Sequence, residues 1–258
     1  MKTVLADFGN RQISIDVPEH AEVIEFEDRH GVADPVAATV EAIQNPHGSR
    51  SLSELAGPGM RVAIGFDDPT RPAMTVQTII PVLIRTLLDA GVGENDIRLI
   101  CACSNHRKPT GDELAEYLGA TIYDRFGPSG QILNHDCSDP SQLSFLGISK
   151  AGKYPVELNR HFVEADLMIY VGNVSATGFR SYTGTGVVIG LASTRSIASH
   201  HSLDGIPQPG HAADKKVAKP RHSVKDDISA LMEEATGKRV FYVNAVPGGD
   251  GKLAGVFA

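Results

Sequence analysis

The chain has 258 residues, 41% hydrophobic and 21% charged, a globular balance that can bury one large core or two small ones. Its net charge of -7 argues against a nucleic-acid surface, and no apolar run approaches the ~20 residues that span a membrane. The three cysteines, Cys101, Cys103 and Cys137, are too few and too odd in number for a disulfide framework and point to reduced thiols in a cytoplasmic protein. Met1 to Asp7 carries an acid early and has no apolar signal-peptide core.

Residues 3–26 alternate apolar and polar around Gly9-Asn10, which predicts a β-hairpin leading into Val17-Pro18. Residues 34–45 predict a helix with Asp34 as N-cap and Pro35 at its first position. Arg61 to Phe66 is an apolar run of the buried-strand type. Residues 73–90 predict a helix that ends at Gly91, with Ile79, Ile80, Leu83, Leu87 and Leu88 on one face. Residues 97–103 predict the next strand, and Thr110-Gly111-Asp112-Glu113 opens another helix with a capping-box pattern. Residues 167–172 form a third buried strand, residues 224–236 a helix closed by Gly237, and residues 240–246 a late strand. Strands alternating with helices predict an α/β fold with a mostly parallel sheet flanked by helices. Residues 204–222, rich in Pro, Gly, His and Lys, predict an exposed loop and a candidate lid. Residues 252–258 predict a final strand that stops within two residues of an apolar pair, which suggests a chain that once continued.

Four constellations carry candidate chemistry. Asp67-Asp68-Pro69-Thr70-Arg71-Pro72 sits where a buried strand turns into a helix, where α/β proteins place ligand-binding groups. Thr70 is a candidate cap, and Arg71 adds a fixed cation to the positive end of the helix dipole, an arrangement suited to a phosphate or a carboxylate. The second, Ser104-Asn105-His106-Arg107-Lys108-Pro109-Thr110, has the same strand-to-helix placement. Its His106 is a candidate general acid or base, and Arg107 and Lys108 add positive potential, although a plain solvated helix entry explains Lys108 as well. The third, Asn134-His135-Asp136-Cys137, has no CxxC and no helical His spacing, so it reads as structural. The fourth is the loop 172–186, with four glycines and many hydroxyls after a buried strand, where backbone N–H groups can approach a phosphate. His200-His201 follows, and His201 is the best candidate metal ligand of the chain.

The chain resembles the N-terminal domain of the nickel-dependent lactate racemases. Asp68-Pro69-Thr70-Arg71-Pro72 is similar to that family's D-x-T-R-P strand end, and His106-Arg107 with Thr110 and Glu113 to its H-R-x-x-T-x-x-E segment. Asn134-His135-Asp136, residues 155–172, residues 241–244 and residues 254–258 resemble further segments in the same order, so the resemblance spreads over residues 1–258 as one domain. It implies interconversion of 2-hydroxy-acid stereoisomers with a nickel-pincer nucleotide, a nicotinic-acid-derived mononucleotide that holds nickel through sulfur and carbon. It implies His106 as acid/base and Arg71 as the substrate-holding cation. Asp68 and Thr70 would shape the same pocket, with Thr183, Gly184 and Thr185 bordering the cofactor and His201 in the place of a metal-ligating histidine.

The chain departs from the family where the cofactor is tethered. The family's glycine loop carries a lysine that binds the cofactor covalently and a second acid/base histidine; residues 175–187 contain neither Lys nor His. The tether position falls on Thr185 or Val187, the second base on Ser175 or Thr177. A hydroxyl titrates far above neutrality and does not replace a histidine base. The family's C-terminal domain has no counterpart in these residues. The expected partner is therefore a small anionic substrate, with either the missing domain or a second copy completing the cleft. Three readings stay open: a racemase or epimerase acting at C2, a divergent homologue doing other chemistry on a hydroxy or sugar acid, and a non-catalytic organic-acid- or nucleotide-binding protein.

Overall fold

A computed structural model of the chain describes residues 1–8, 11–24, 30–150, 153–174, 186–201, 224–248 and 252–258. Strands β1 (Lys2–Phe8) and β2 (Arg11–Val17) form the expected hairpin, paired antiparallel from Lys2↔Val17 to Phe8↔Arg11 and separate from the main sheet. Helix α1 (Pro35–Gln44) starts as predicted, the Asp34 carboxylate accepting the Ala37 N–H at 2.9 Å. The short helix α2 (Leu52–Leu55) was not predicted and carries a Ser51/Glu54 capping box.

The central sheet begins with β3 (Val62–Asp67). Helix α3 (Ala73–Asp89) leads to β4 (Ile97–Ala102), and helices α4 (Gly111–Leu118) and α5 (Ala120–Phe126) lead to β5 (Ile132–Asn134). A second antiparallel pair follows, β6 (Leu143–Ile148) with β7 (Pro155–Asn159), then helix α6 (Arg160–Val163). Strand β8 (Leu167–Asn173) returns to the sheet. Helices α7 (Val187–Gly190), α8 (Thr194–His200) and α9 (Val224–Thr236) precede β9 (Val240–Pro247) and β10 (Leu253–Phe257). The sheet order is β10-β9-β8-β3-β4-β5, parallel throughout except for β10, which pairs antiparallel with β9. The predicted parallel α/β sheet flanked by helices is the fold observed. Strands β5 to β7 were missed because their residues lack clean alternation or a continuous apolar run.

The sheet is buried on both faces because alternate residues of each strand point to opposite sides. Val62, Ile64 and Phe66 of β3 join Leu99 and Cys101 of β4 in a core against α1 to α5. Ala63, Ile100, Met168 and Tyr170 point the other way, into a second core with β7 and α6 to α9. Gly65 faces this second side, where a Cβ would lie 2.8 Å from Tyr170, 3.0 Å from Leu191 and 3.2 Å from Phe162. All three cysteines are free thiols, Cys101 and Cys103 buried. Among the described residues no helix is long and apolar enough to cross a membrane.

The chain runs β3, β4, β5 in one direction across the sheet and then returns to lay β8 and β9 on the other side of β3. The order therefore reverses between β3 and β8, and ligands of open α/β sheets bind at the carboxyl ends of the strands around such a switch point.

Candidate functional site

Two tight turns at the carboxyl ends of β3 and β4 build the site. In the first, the Arg71 N–H donates to the Asp68 carbonyl at 3.0 Å, with Pro69 supplying the fixed φ of the turn's second residue. In the second, the His106 N–H donates to the Cys103 carbonyl at 2.8 Å, and Ser104 takes a left-handed φ of +52°. The Ser104 N–H is held by the Gly190 carbonyl at 3.0 Å, so α7 supports this strained residue.

Because β3 and β4 are parallel neighbours, the two turns meet. His106 Nδ1 lies 2.6 Å from Asp68 Oδ2, and the Thr70 hydroxyl donates to Asp68 Oδ1 at 2.5 Å. Asp68 is buried, whereas half of the His106 side chain is exposed. A carboxylate only accepts, so Nδ1 is the donor, and in the neutral ring Nε2 is then the nitrogen that carries the lone pair. Arg71 donates to the Thr70 hydroxyl at 3.0 Å and has no ion pair with a carboxylate among the described residues. Asp68, Thr70, Arg71 and His106 line one cavity of about 540 Å³, together with Pro69, Ala73, Arg107, Pro109, Glu113, Glu116 and Tyr117.

Several expectations change here. Thr70 does not cap α3: its hydroxyl is spent on Asp68, and Pro72 occupies the N-cap position without a side-chain bond. The start of α3 beside the cavity therefore has no side-chain cap, and its Thr75 N–H reaches only the Pro72 carbonyl at 3.4 Å. The N-terminus of α4 is instead closed by its own box, Thr110 Oγ1 accepting from the Glu113 N–H at 3.3 Å and Glu113 accepting from the Thr110 N–H at 2.7 Å. Arg107 does not offer free positive potential, because its guanidinium forks onto Glu113 at 2.7 and 2.8 Å and holds that carboxyl down at about 2. Lys108 pairs with Asp136, as a plain solvated role implies. Arg71 is left as the available cation of the cavity.

The Asn134-His135-Asp136 run is structural, as expected. His135 is fully buried, with Nε2 3.0 Å from the Ala192 carbonyl and Nδ1 3.0 Å from Asn159 Nδ2, so it is the neutral tautomer protonated on Nε2. Burial lowers its pKa. His201 ends α8, with Nδ1 3.1 Å from the Ile197 carbonyl, and does not line the cavity. Among the described residues no three His, Cys, Asp or Glu side chains are grouped to hold a metal. Thr183, Gly184 and Thr185, and the candidate lid at 204–222, lie outside the described residues.

Asp67 is the site residue whose role the sequence left undivided from that of Asp68. Its carboxylate accepts from the Tyr170 hydroxyl at 2.8 Å, the Asn173 N–H at 2.9 Å and the Asn173 amide at 3.3 Å. The Asn173 Oδ1 in turn accepts from the buried Thr75 hydroxyl at 2.6 Å. Burial raises the Asp67 pKa against these three donors. Asp67 thus bolts β3 to β8 and α3 across the switch point, while its neighbour Asp68 faces the cavity. Strand alternation sends successive side chains to opposite sides, and that was the available signal.

The family model described as the lactate racemase N-terminal domain matches residues 8–214 of the chain. The lactate racemase of Lactiplantibacillus plantarum is 31% identical over 223 residues, covering 85% of this chain and 50% of that protein. The lactate racemase of Thermoanaerobacterium thermosaccharolyticum is 25% identical over 219 residues, covering 84% of this chain and 49% of that one. The chain spans about half the length of the curated relatives it matches. The structure of the Thermoanaerobacterium thermosaccharolyticum apoprotein aligns with a TM-score of 0.75 at 21% identity, over 99% of this chain and 58% of that chain. A protein of Thermotoga maritima aligns with a TM-score of 0.58 at 24% identity, over 79% and 51%. Both likenesses are of fold.

Proposed function

We propose, for a chain that belongs to the lactate racemase N-terminal domain family, that its cavity binds a small 2-hydroxy acid and serves racemase- or epimerase-type chemistry at C2. The observation that carries this reading is the His106–Asp68 pair at 2.6 Å, opening on the same cavity as Arg71. Arg71 holds the carboxylate through its planar fork, supported by the positive end of the side-chain-uncapped helix α3. His106 Nε2 accepts the 2-hydroxyl proton, and Asp68, oriented by Thr70, stabilises the imidazolium that forms. The proton returns from Nε2 to the oxygen when C2 is restored.

Taking the hydroxyl proton is half of an oxidation at C2. The other half, displacement of the C2 hydride, needs an acceptor that these side chains do not supply. The family's nickel-pincer nucleotide would supply it, but the residues present do not fit its lysine-tethered form. No lysine stands in 175–187, and no metal-holding cluster occurs among the described residues. No step is therefore written through that group. The same missing groups favour a second reading, binding of the hydroxy acid without turnover.

Arg71→Ala tests the binding step. Calorimetric titration with lactate should show binding to the unaltered chain weakened at least tenfold in the variant, as a bidentate charge-assisted contact is lost. Equal affinity would remove Arg71 from the site. Chiral chromatography of lactate incubated with the protein, nickel and cofactor separates the two readings: both enantiomers appear if C2 is worked upon, and one persists if the chain only binds.

A further inference from the structure

The floor of this cavity holds a polar atom that the chemistry above leaves unused. Tyr117 stands in the last turn of α4, 4% exposed, with its ring centroid 6.5 Å from that of Phe66 at the end of β3. The residue lines the cavity, yet its hydroxyl is sealed from solvent and has no hydrogen-bond partner among the described residues. Buried polar groups are paired in the great majority of cases, and an unpaired one costs about 1–3 kcal/mol. Burial, with Asp67, Cys101 and Asp68 close by, holds the phenol well above its ordinary range, while neighbouring Arg71 acts the other way. The group is therefore a permanent O–H donor next to the cation assigned to the ligand's carboxylate.

We propose that Tyr117 is a specificity-determining residue, whose hydroxyl donates to the second oxygen of a carboxylate seated on Arg71. Arg71 at present bonds the Thr70 hydroxyl and carbonyl, both within its own turn. A carboxylate that draws the guanidinium off Thr70 brings an acceptor into the cavity that Tyr117 also lines. A site with a buried donor waiting for an acceptor rejects ligands that do not bring one, because binding them leaves the donor unpaired. The ligand class is then a carboxylate, whose oxygens take the Arg71 fork and keep a further lone pair for the Tyr117 hydroxyl. This inference rests on the cavity being the hydroxy-acid site.

The test is Tyr117→Phe, compared with Arg71→Ala and the unaltered chain. Lactate and propionate are titrated by amide NMR, and thermal unfolding is followed without ligand. Tyr117→Phe should unfold no earlier than the unaltered chain, since no hydrogen bond is lost in the free protein. Its dissociation constants for lactate and for propionate should both rise about tenfold, the scale of a hydrogen bond to a charged group. Unchanged affinities in Tyr117→Phe, with binding lost in Arg71→Ala, overturn this inference and leave the cavity reading standing. A clearly lowered unfolding temperature shows that the hydroxyl already has a partner and also overturns it. Weakening for lactate alone assigns Tyr117 to the hydroxyl and overturns the carboxylate assignment. If the unaltered chain binds neither acid, the cavity reading and this inference fall together.

Discussion

Asp67 and Asp68 are adjacent carboxylates with opposite employment. Asp67 is enclosed by three donors from β8, whereas Asp68 accepts from Thr70 and His106 at the edge of the cavity. Among the described residues lining the cavity, this division makes His106 the one histidine, with a carboxylate behind it. His106→Gln removes the atom that takes the hydroxyl proton and should cut any racemisation of a 2-hydroxy acid by about 10²–10⁴. Lactate binding through Arg71 should persist in that variant. Near-normal turnover, followed by chiral chromatography, would displace His106 from the role. The motif residues Asp68, Thr70, Arg71 and His106 were legible because they follow buried strands directly. The pairings of Arg107 with Glu113 and of Lys108 with Asp136 were not, since which cations are neutralised depends on where neighbouring helices and loops come to rest.

At the scale of elements, strand and helix positions followed the hydrophobic period closely. The main parallel strands were anticipated from their continuous apolar runs, and α1, α3, α4 and α9 from a periodic run with a cap or a closing glycine. Strands β5 to β7, with weaker patterns, were not, because tertiary packing decides them. Gly65 shows packing deciding a residue within a strand. Gly65→Ala places a methyl group against Tyr170, Leu191 and Phe162, and should lower stability by about 1–3 kcal/mol in denaturant unfolding. A loss below a few tenths would mean that these side chains yield freely. The glycine-rich loop after β8 carries a different expectation. With no lysine in 175–187, the protein made alongside cofactor-producing machinery should show its unmodified intact mass after denaturation. An adduct of nucleotide mass would show a tether at some other residue.

For the whole molecule, two cores on one sheet depend on buried polar pins, and the pins respond to acid. His135 is held neutral between Ala192 and Asn159, and burial lowers its pKa below the unfolded value of about 6.5. A depressed folded value means that the unfolded chain takes up the proton first. The His135 contribution is thus complete above about pH 6.5 and is lost as pH falls through the lowered folded value. The unfolding temperature of the unaltered chain should drop more steeply on acidification than that of His135→Gln, which keeps a donor and an acceptor without titrating. Parallel pH profiles would exclude His135 as the source. The sequence by itself determined the α/β class, the order of the principal strands and the two turns that carry Arg71 and His106. Periodicity and turn chemistry are local properties, written in consecutive residues. The tertiary structure alone decided that β4 and β8 flank β3, that Asp68 rather than Asp67 meets His106, and that Tyr117 lines the same cavity as Arg71 with its hydroxyl unpaired among the described residues. Those outcomes depend on which distant segments share a crevice, and strand pairing across ~100 residues leaves no mark in a local pattern.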